Sequence, residues 1–200
     1  QNTGAATGTW WVTHDIPVAE SLNVQLLPPG KEQSPRLLLS LTDRSTFAAR
    51  TIAHRHLVSE ITLQPSEQTT LIIDYTSAQA TEMPFFIESV PRFFTRTQSE
   101  TVEIVALTAL VLGMGLISTI YLYGLAGRPG LAYGAYVVSG VTLLIHMEGY
   151  AFQFIWPNWP ALNQVALLMI ATLFVALGTN FVRRFIQSER NHPKLHRLTS

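Results

Sequence analysis

The sequence predicts an α+β chain in which an incomplete, jelly-roll-like antiparallel β sandwich is followed by a membrane bundle of three transmembrane helices. Three observations carry this expectation. Between residues 104 and 127 no side chain bears a full charge, and at helical rise such a run crosses a hydrocarbon core of about 30 Å. Charge is unevenly shared: residues 1–100 hold ten acidic and seven basic side chains, residues 101–200 only three and six. Ahead of the uncharged run, short segments rich in β-branched and aromatic residues alternate with Pro, Gly and polar punctuation, as strands and turns do.

The β domain is expected over residues 1–95. Candidate strands are 10–16, 23–27, 36–41, 54–63, 69–75 and 85–90, separated by breaks at 28–30, 33–35, 65–67 and 81–84. Leu71, Ile73 and Tyr75 alternate with Ile72 and Asp74, which gives a strand one buried face. The segment 57–63 alternates only in part. Regular spacing without a helical period suits an antiparallel sandwich.

A polar tether, 96–103, leads into the membrane part, 104–200. Its spans are expected at about 104–125, 129–150 and 161–182. Gly124 and Gly127 end the first span, and Pro129, with no amide hydrogen to leave unpaired, suits the first turn of the second. The turn Trp156-Pro-Asn-Trp-Pro160 places tryptophans where a headgroup region favours them and prolines where a helix must stop. The third span closes on Arg183 and Arg184, followed by Arg190, Lys194 and Arg197. Loops rich in Lys and Arg stay inside, so the tail and the Arg128 turn are expected inside, the Trp-Pro turn and the β domain outside.

Composition excludes several classes. No cluster of Lys and Arg forms a nucleic-acid surface. There are no cysteines, hence no disulfide framework. No phosphate-cradling glycine loop, serine elbow or zinc-binding helix motif occurs, so no catalytic residue and no cofactor are expected. Gln1 is not an initiator and no signal-peptide pattern precedes Trp10, which suggests a processed or excised piece.

The candidate sites are of three kinds. Trp10, Trp11, Phe47, Phe85 and Phe86 with Asp43, Arg44 and Arg50 can line a ligand cleft in which aromatic faces stack on a sugar and charges orient its hydroxyls. Core packing and surface pairing are the plainer alternative. His146, Glu148, Asn163 and Asn180 are polar groups within or beside spans, where ionisable residues are costly enough to be functional candidates and amides serve as interhelical partners. His54 and His56 lie two apart on a candidate strand. With no cysteine and no fourth ligand in view, exposed histidines are expected there and no metal. The pairs Ala109/Gly113, Gly115/Thr119 and Ala135/Ser139 suit close helix contact.

The order and spacing of several motifs resemble those of the bacterial seven-transmembrane receptors with diverse intracellular signalling modules. Residues 37–94, with Leu41-Thr-Asp-Arg44, Phe47-Ala-Ala-Arg50, Leu63-Gln-Pro65 and the run from Pro84 to Ser89, are similar to the family's second type of extracellular sensory domain. Residues 110–198 are similar to the start of its membrane domain, through Gly113-Met-Gly115, Tyr121-Leu-Tyr-Gly124, Tyr133-Gly-Ala-Tyr136, Gly149, Ile155-Trp-Pro157, Phe181-Val-Arg-Arg184 and Pro193. The resemblance implies seven spans and a cytoplasmic output domain, whereas three spans are present. It also implies that the first strand or two of the outer domain lie upstream.

From the resemblance, the chain is expected to be the ligand-sensing and transmembrane-signalling half of a bacterial inner-membrane receptor. The outer domain would be periplasmic and the C-terminal tail cytoplasmic. The output is commonly a diguanylate cyclase, within cyclic-di-GMP signalling, a histidine kinase of a two-component system, or a phosphatase. The family's outer domain is carbohydrate-binding-like, so the expected small-molecule ligand is of unknown identity with a saccharide as one candidate, and a homodimer suits such outputs. The joint 92–103 is where coupling is expected to pass. One rival is an accessory or assembly subunit whose outer domain binds a partner protein. A second is a transporter component with His146 and Glu148 along its path, for which spans one and three offer few polar residues.

Overall fold

Six strands form where the β-branched and aromatic segments stand. In the computed structural model, which describes residues 2–15, 20–27, 34–76 and 84–186, they are β1 (Gly8–His14), β2 (Ser21–Leu27), β3 (Arg36–Thr42), β4 (Leu57–Leu63), β5 (Thr70–Thr76) and β6 (Phe85–Ser89). They make two three-stranded antiparallel sheets, ordered β4-β1-β6 and β3-β2-β5. The period of two sends Val12, Ile61 and Leu63 inward from one sheet and Leu22, Val24, Leu26, Leu39 and Leu41 from the other, with Leu57 beside them. These residues are the sandwich core.

The strand expected at 54–63 begins at Leu57 instead. The guanidinium of Arg50 donates to the carbonyls of His54 and Arg55, both at 2.7 Å, so these carbonyls serve a loop rather than a ladder. The partial alternation of β4 also has a structural cause. Val58 faces away from the sandwich, yet it is buried with Trp11 against Phe93.

Phe93 belongs to α1 (Val90–Ala126), a single helix of 37 residues, about 55 Å long at 1.5 Å per residue. Residues 96–103, expected as a tether, are helical and part of it. They contain no Gly or Pro, and Arg96 is held by Glu88 and Asp15, so nothing unwinds the chain there. Gly127 turns it with φ +70°, a left-handed value that glycine adopts without steric cost. Then follow α2 (Arg128–Met147), α3 (Tyr150–Phe154) and α4 (Pro160–Phe185). Gly149, with φ +82°, makes the turn from α2 into α3.

The chain divides into two compact units, Gln1–Ser99 with Glu148–Gln164, and Glu100–Met147 with Val165–Ser200. In the second unit α1, α2 and α4 are long and apolar enough to cross a membrane, and most of their large apolar side chains are exposed, as a lipid-facing surface requires. Helix α2 lies between the other two. Gly115 and Thr119 of α1 meet Val137 and Gly134 of α2, while Gly140 of α2 meets Phe174 and Gly178 of α4 meets Tyr136. Tyr136 stacks on Phe174 at 4.7 Å, and Tyr133 lies 5.2 Å from Phe181. Absent a hydrophobic force between helices in lipid, such close approach over small residues supplies the packing energy. Of the expected small pairs, Gly115/Thr119 forms a contact and Ser139 is buried, whereas a Cβ on Gly113 would meet open space.

Candidate functional site

Residues 148–164 connect α2 to α4 in sequence but fold with the β domain. Glu148 Oε2 accepts from Arg55 Nη1 at 3.0 Å, and the guanidinium of Arg55, whose side chain is 4% exposed, lies 5.1 Å from the Tyr150 ring centre. Arg50 sits between two rings, 4.7 Å from Phe47 and 5.6 Å from Phe152. Phe47 meets Phe152 edge-on at 5.9 Å. The Phe47 amide donates to the Pro157 carbonyl at 2.9 Å, and Gln164 Nε2 donates to the Asp43 carbonyl at 3.3 Å. Burial pushes the Arg50 guanidinium down to about 10, so at neutral pH it remains a cation, satisfied by two carbonyls and two aromatic faces.

The same loop reaches α1. The His56 amide donates to His54 Nδ1 at 3.1 Å, and the two imidazoles stack at 5.1 Å. His54 in turn lies 4.9 Å from Phe93. His56 Nδ1 stands 3.0 Å from the Asp15 carbonyl. A carbonyl only accepts, so this nitrogen donates. The Asp15 carboxylate accepts from Arg96 Nη1 at 3.1 Å, and Glu88 accepts from Arg96 Nη2 at 2.6 Å. Arg96 thus ties α1 to the ends of β1 and β6. The histidines expected as exposed strand residues are a stacked pair in a loop, with His56 buried. Among the described residues no group of three His, Cys, Asp or Glu could hold a metal.

The predicted ligand residues do not converge on one place. Asp43 and Arg50 line one small cavity of about 30 Å³ with Thr42, Ser45, Asn163 and Gln164, room for a single water. Phe47 flanks it through Arg50. Trp10 lines a larger apolar cavity of about 160 Å³ with Ile61, Leu63, Thr69, Leu71 and Ile87. Trp11 points to the opposite face of β1, where its ring meets Phe93 at 4.9 Å and its indole N–H donates to Glu60 at 3.2 Å. Adjacent strand residues face opposite ways, so Trp10 and Trp11 do not share a cleft. Arg44 is exposed and lines neither cavity.

The polar residues beside the spans also separate. Glu148 and Asn163 belong to the unit of the β domain, where Asn163 accepts from the Trp156 indole at 3.1 Å. His146 is buried in the last turn of α2. Asn180 accepts from Arg184 one turn along α4 at 3.0 Å.

Arg55, Arg96, Glu88 and Asp15 were not singled out from sequence, although they form the ionic skeleton of this region. Their signal is weak, since single charges among polar neighbours look like any solvated surface. The one available cue is Arg55 between two histidines, immediately before an apolar strand.

Two family profiles match the chain. One, described as 7TMR-DISM extracellular 2, covers residues 1–89, and the other, 7TM diverse intracellular signalling, covers residues 100–200. No curated protein and no solved structure matches it. The junction of the two matched stretches falls within α1, between the sandwich and the apolar run. With a sensory module and a membrane module in the family's order, the chain belongs to the seven-transmembrane receptors with diverse intracellular signalling modules and is part of their membrane-bound input.

Proposed function

We propose that the chain is the ligand-sensing input of a bacterial inner-membrane receptor. Its β domain is periplasmic, its C-terminal tail is cytoplasmic, and its helices pass the ligand state to a cytoplasmic diguanylate cyclase or histidine kinase. The observation that carries this is the succession, on one chain, of a sandwich matching the extracellular module and apolar helices matching the membrane module. Ligand binding acts by population shift, favouring the arrangement it binds better, with a coupling of about 1 to 3 kcal/mol.

The proposed ligand is a saccharide whose apolar face stacks on Trp10. Five of the six residues around that cavity are apolar, and the Thr69 hydroxyl is already committed to the Leu27 carbonyl at 2.8 Å. Such a lining favours an apolar face and leaves the hydroxyls to solvent.

Titration of the chain in lipid nanodiscs with a panel of mono- and oligosaccharides tests this. A saturable change in tryptophan fluorescence is expected, lost in Trp10→Ala and kept in Trp159→Phe, with circular dichroism confirming that both variants fold. No saturable change in the unaltered protein across the panel would refute saccharide sensing.

A further inference from the structure

We infer that residues 50–56 form a relay that couples the two routes by which the β domain joins the helices. The covalent route is α1, which leaves β6 directly. The second route is residues 148–164, folded with the β domain and continuous at its two ends with α2 and α4. Both routes are gripped by the same seven residues. Arg50 and Arg55 hold the second, through Phe152, Glu148 and Tyr150. His54 and His56 hold the first, through Phe93 and through Asp15 to Arg96.

What makes the loop a relay rather than two independent clamps is its internal bracing. The Arg50 guanidinium binds the carbonyls of both His54 and Arg55, and the His56 amide binds the His54 ring. Residues 54, 55 and 56 are therefore held as one body. Arg55, pulled toward Glu148, cannot shift without moving the two imidazoles, of which His54 touches Phe93 of α1 and His56 reaches Arg96 of α1 through Asp15. The relay deepens the receptor proposal, on which its use in signalling rests: a ligand that shifts β4 or the loop before it acts on three helices instead of one. Arg50 and Arg55 are positioning residues in this scheme, since their contacts lie within the first unit.

Coupling is reciprocal, which makes the test symmetric and independent of any ligand. Hydrogen exchange is measured on the chain in lipid nanodiscs for the unaltered protein, Glu148→Ala and Arg96→Gln. Glu148→Ala is expected to raise exchange about fivefold or more at 94–98 of α1, as well as at 150–155, and Arg96→Gln to raise it comparably at 150–155. Changes confined to the altered arm in both variants would overturn the relay, as would a Glu148→Ala protein that exchanges like the unaltered one everywhere. Should Arg96→Gln strip protection from β1 and β4 altogether, Glu148→Ala decides alone, because Glu148 lies outside the strands. A failed relay with successful saccharide titration leaves the sensor standing, and the converse result leaves the relay standing.

Discussion

His14 is a titratable group enclosed in the sandwich. It is 1% exposed, stacked on Phe85 at 4.6 Å and edge-on to Tyr75 at 4.9 Å. Nδ1 faces the Pro84 carbonyl at 3.4 Å and therefore carries the proton of the neutral ring. Burial pushes its pKa below the ordinary histidine value, against the opposing pull of that carbonyl and of Asp15, while His56 adds to the lowering. The unfolded chain then binds a proton more readily than the folded one. The stability this represents is complete above about 6.5 and is lost as pH falls below it, by at most about 1.4 kcal/mol per pH unit. Thermal melts of the chain at pH 7.5 and 5.5 should show the loss, and His14→Phe, which keeps the aromatic stack, should lessen it. Equal slopes in both proteins would remove His14 as its source.

Among the elements, the contact between α1 and α2 depends on what glycine leaves out. A Cβ on Gly130 would collide with the backbone of Tyr123, and one on Gly134 would come within 2.9 Å of Thr119 Cγ2. Backbone cannot step aside, whereas a threonine side chain can shift in part. Gly130→Ala should therefore destabilise the helical unit by about 2 kcal/mol or more, and Gly134→Ala by about half as much. Gly113→Ala, with nothing within 4 Å, should be neutral or slightly stabilising, since alanine favours helix by up to about 1 kcal/mol. Melting in micelles followed by far-ultraviolet circular dichroism checks the order, and a Gly113→Ala protein as damaged as Gly130→Ala would contradict it.

For the whole molecule, the proposed orientation follows from charge at the ends of the spans. Arg183 and Arg184 lie in the last turn of α4, and the basic residues 190, 194 and 197 lie outside the described residues. The connection from α2 to α4 carries Glu148 and no Lys or Arg, so under the rule favouring basic loops inside, the receptor proposal expects residues 148–164 and the β domain on the outer side. Green fluorescent protein fused after Ser200 should fluoresce in bacterial cells, as it does when it folds in the cytoplasm. The chain has no cysteine of its own, so Ala5→Cys at an exposed position gives a single reporter. A membrane-impermeant maleimide should label it in intact cells. A dark fusion together with an unlabelled cysteine would reverse the topology.

Sequence alone determined the elements and their two solvents. An uncharged run as long as a bilayer is thick has one economical structure, and a period of two in short apolar segments specifies strands with a buried face, so the strands and spans lie close to where patterning puts them. The same period already separates Trp10 from Trp11. Tertiary structure decided which distant residues work together. It joined Arg55 to Glu148 across 93 positions, drew residues 148–164 out of a simple connection between helices and into the unit of the β domain, and ran α1 unbroken through the expected tether. Periodicity records the face a residue presents within its own element. An ion pair or a buried guanidinium between elements leaves no period behind, because its partners are chosen by how the chain folds back on itself.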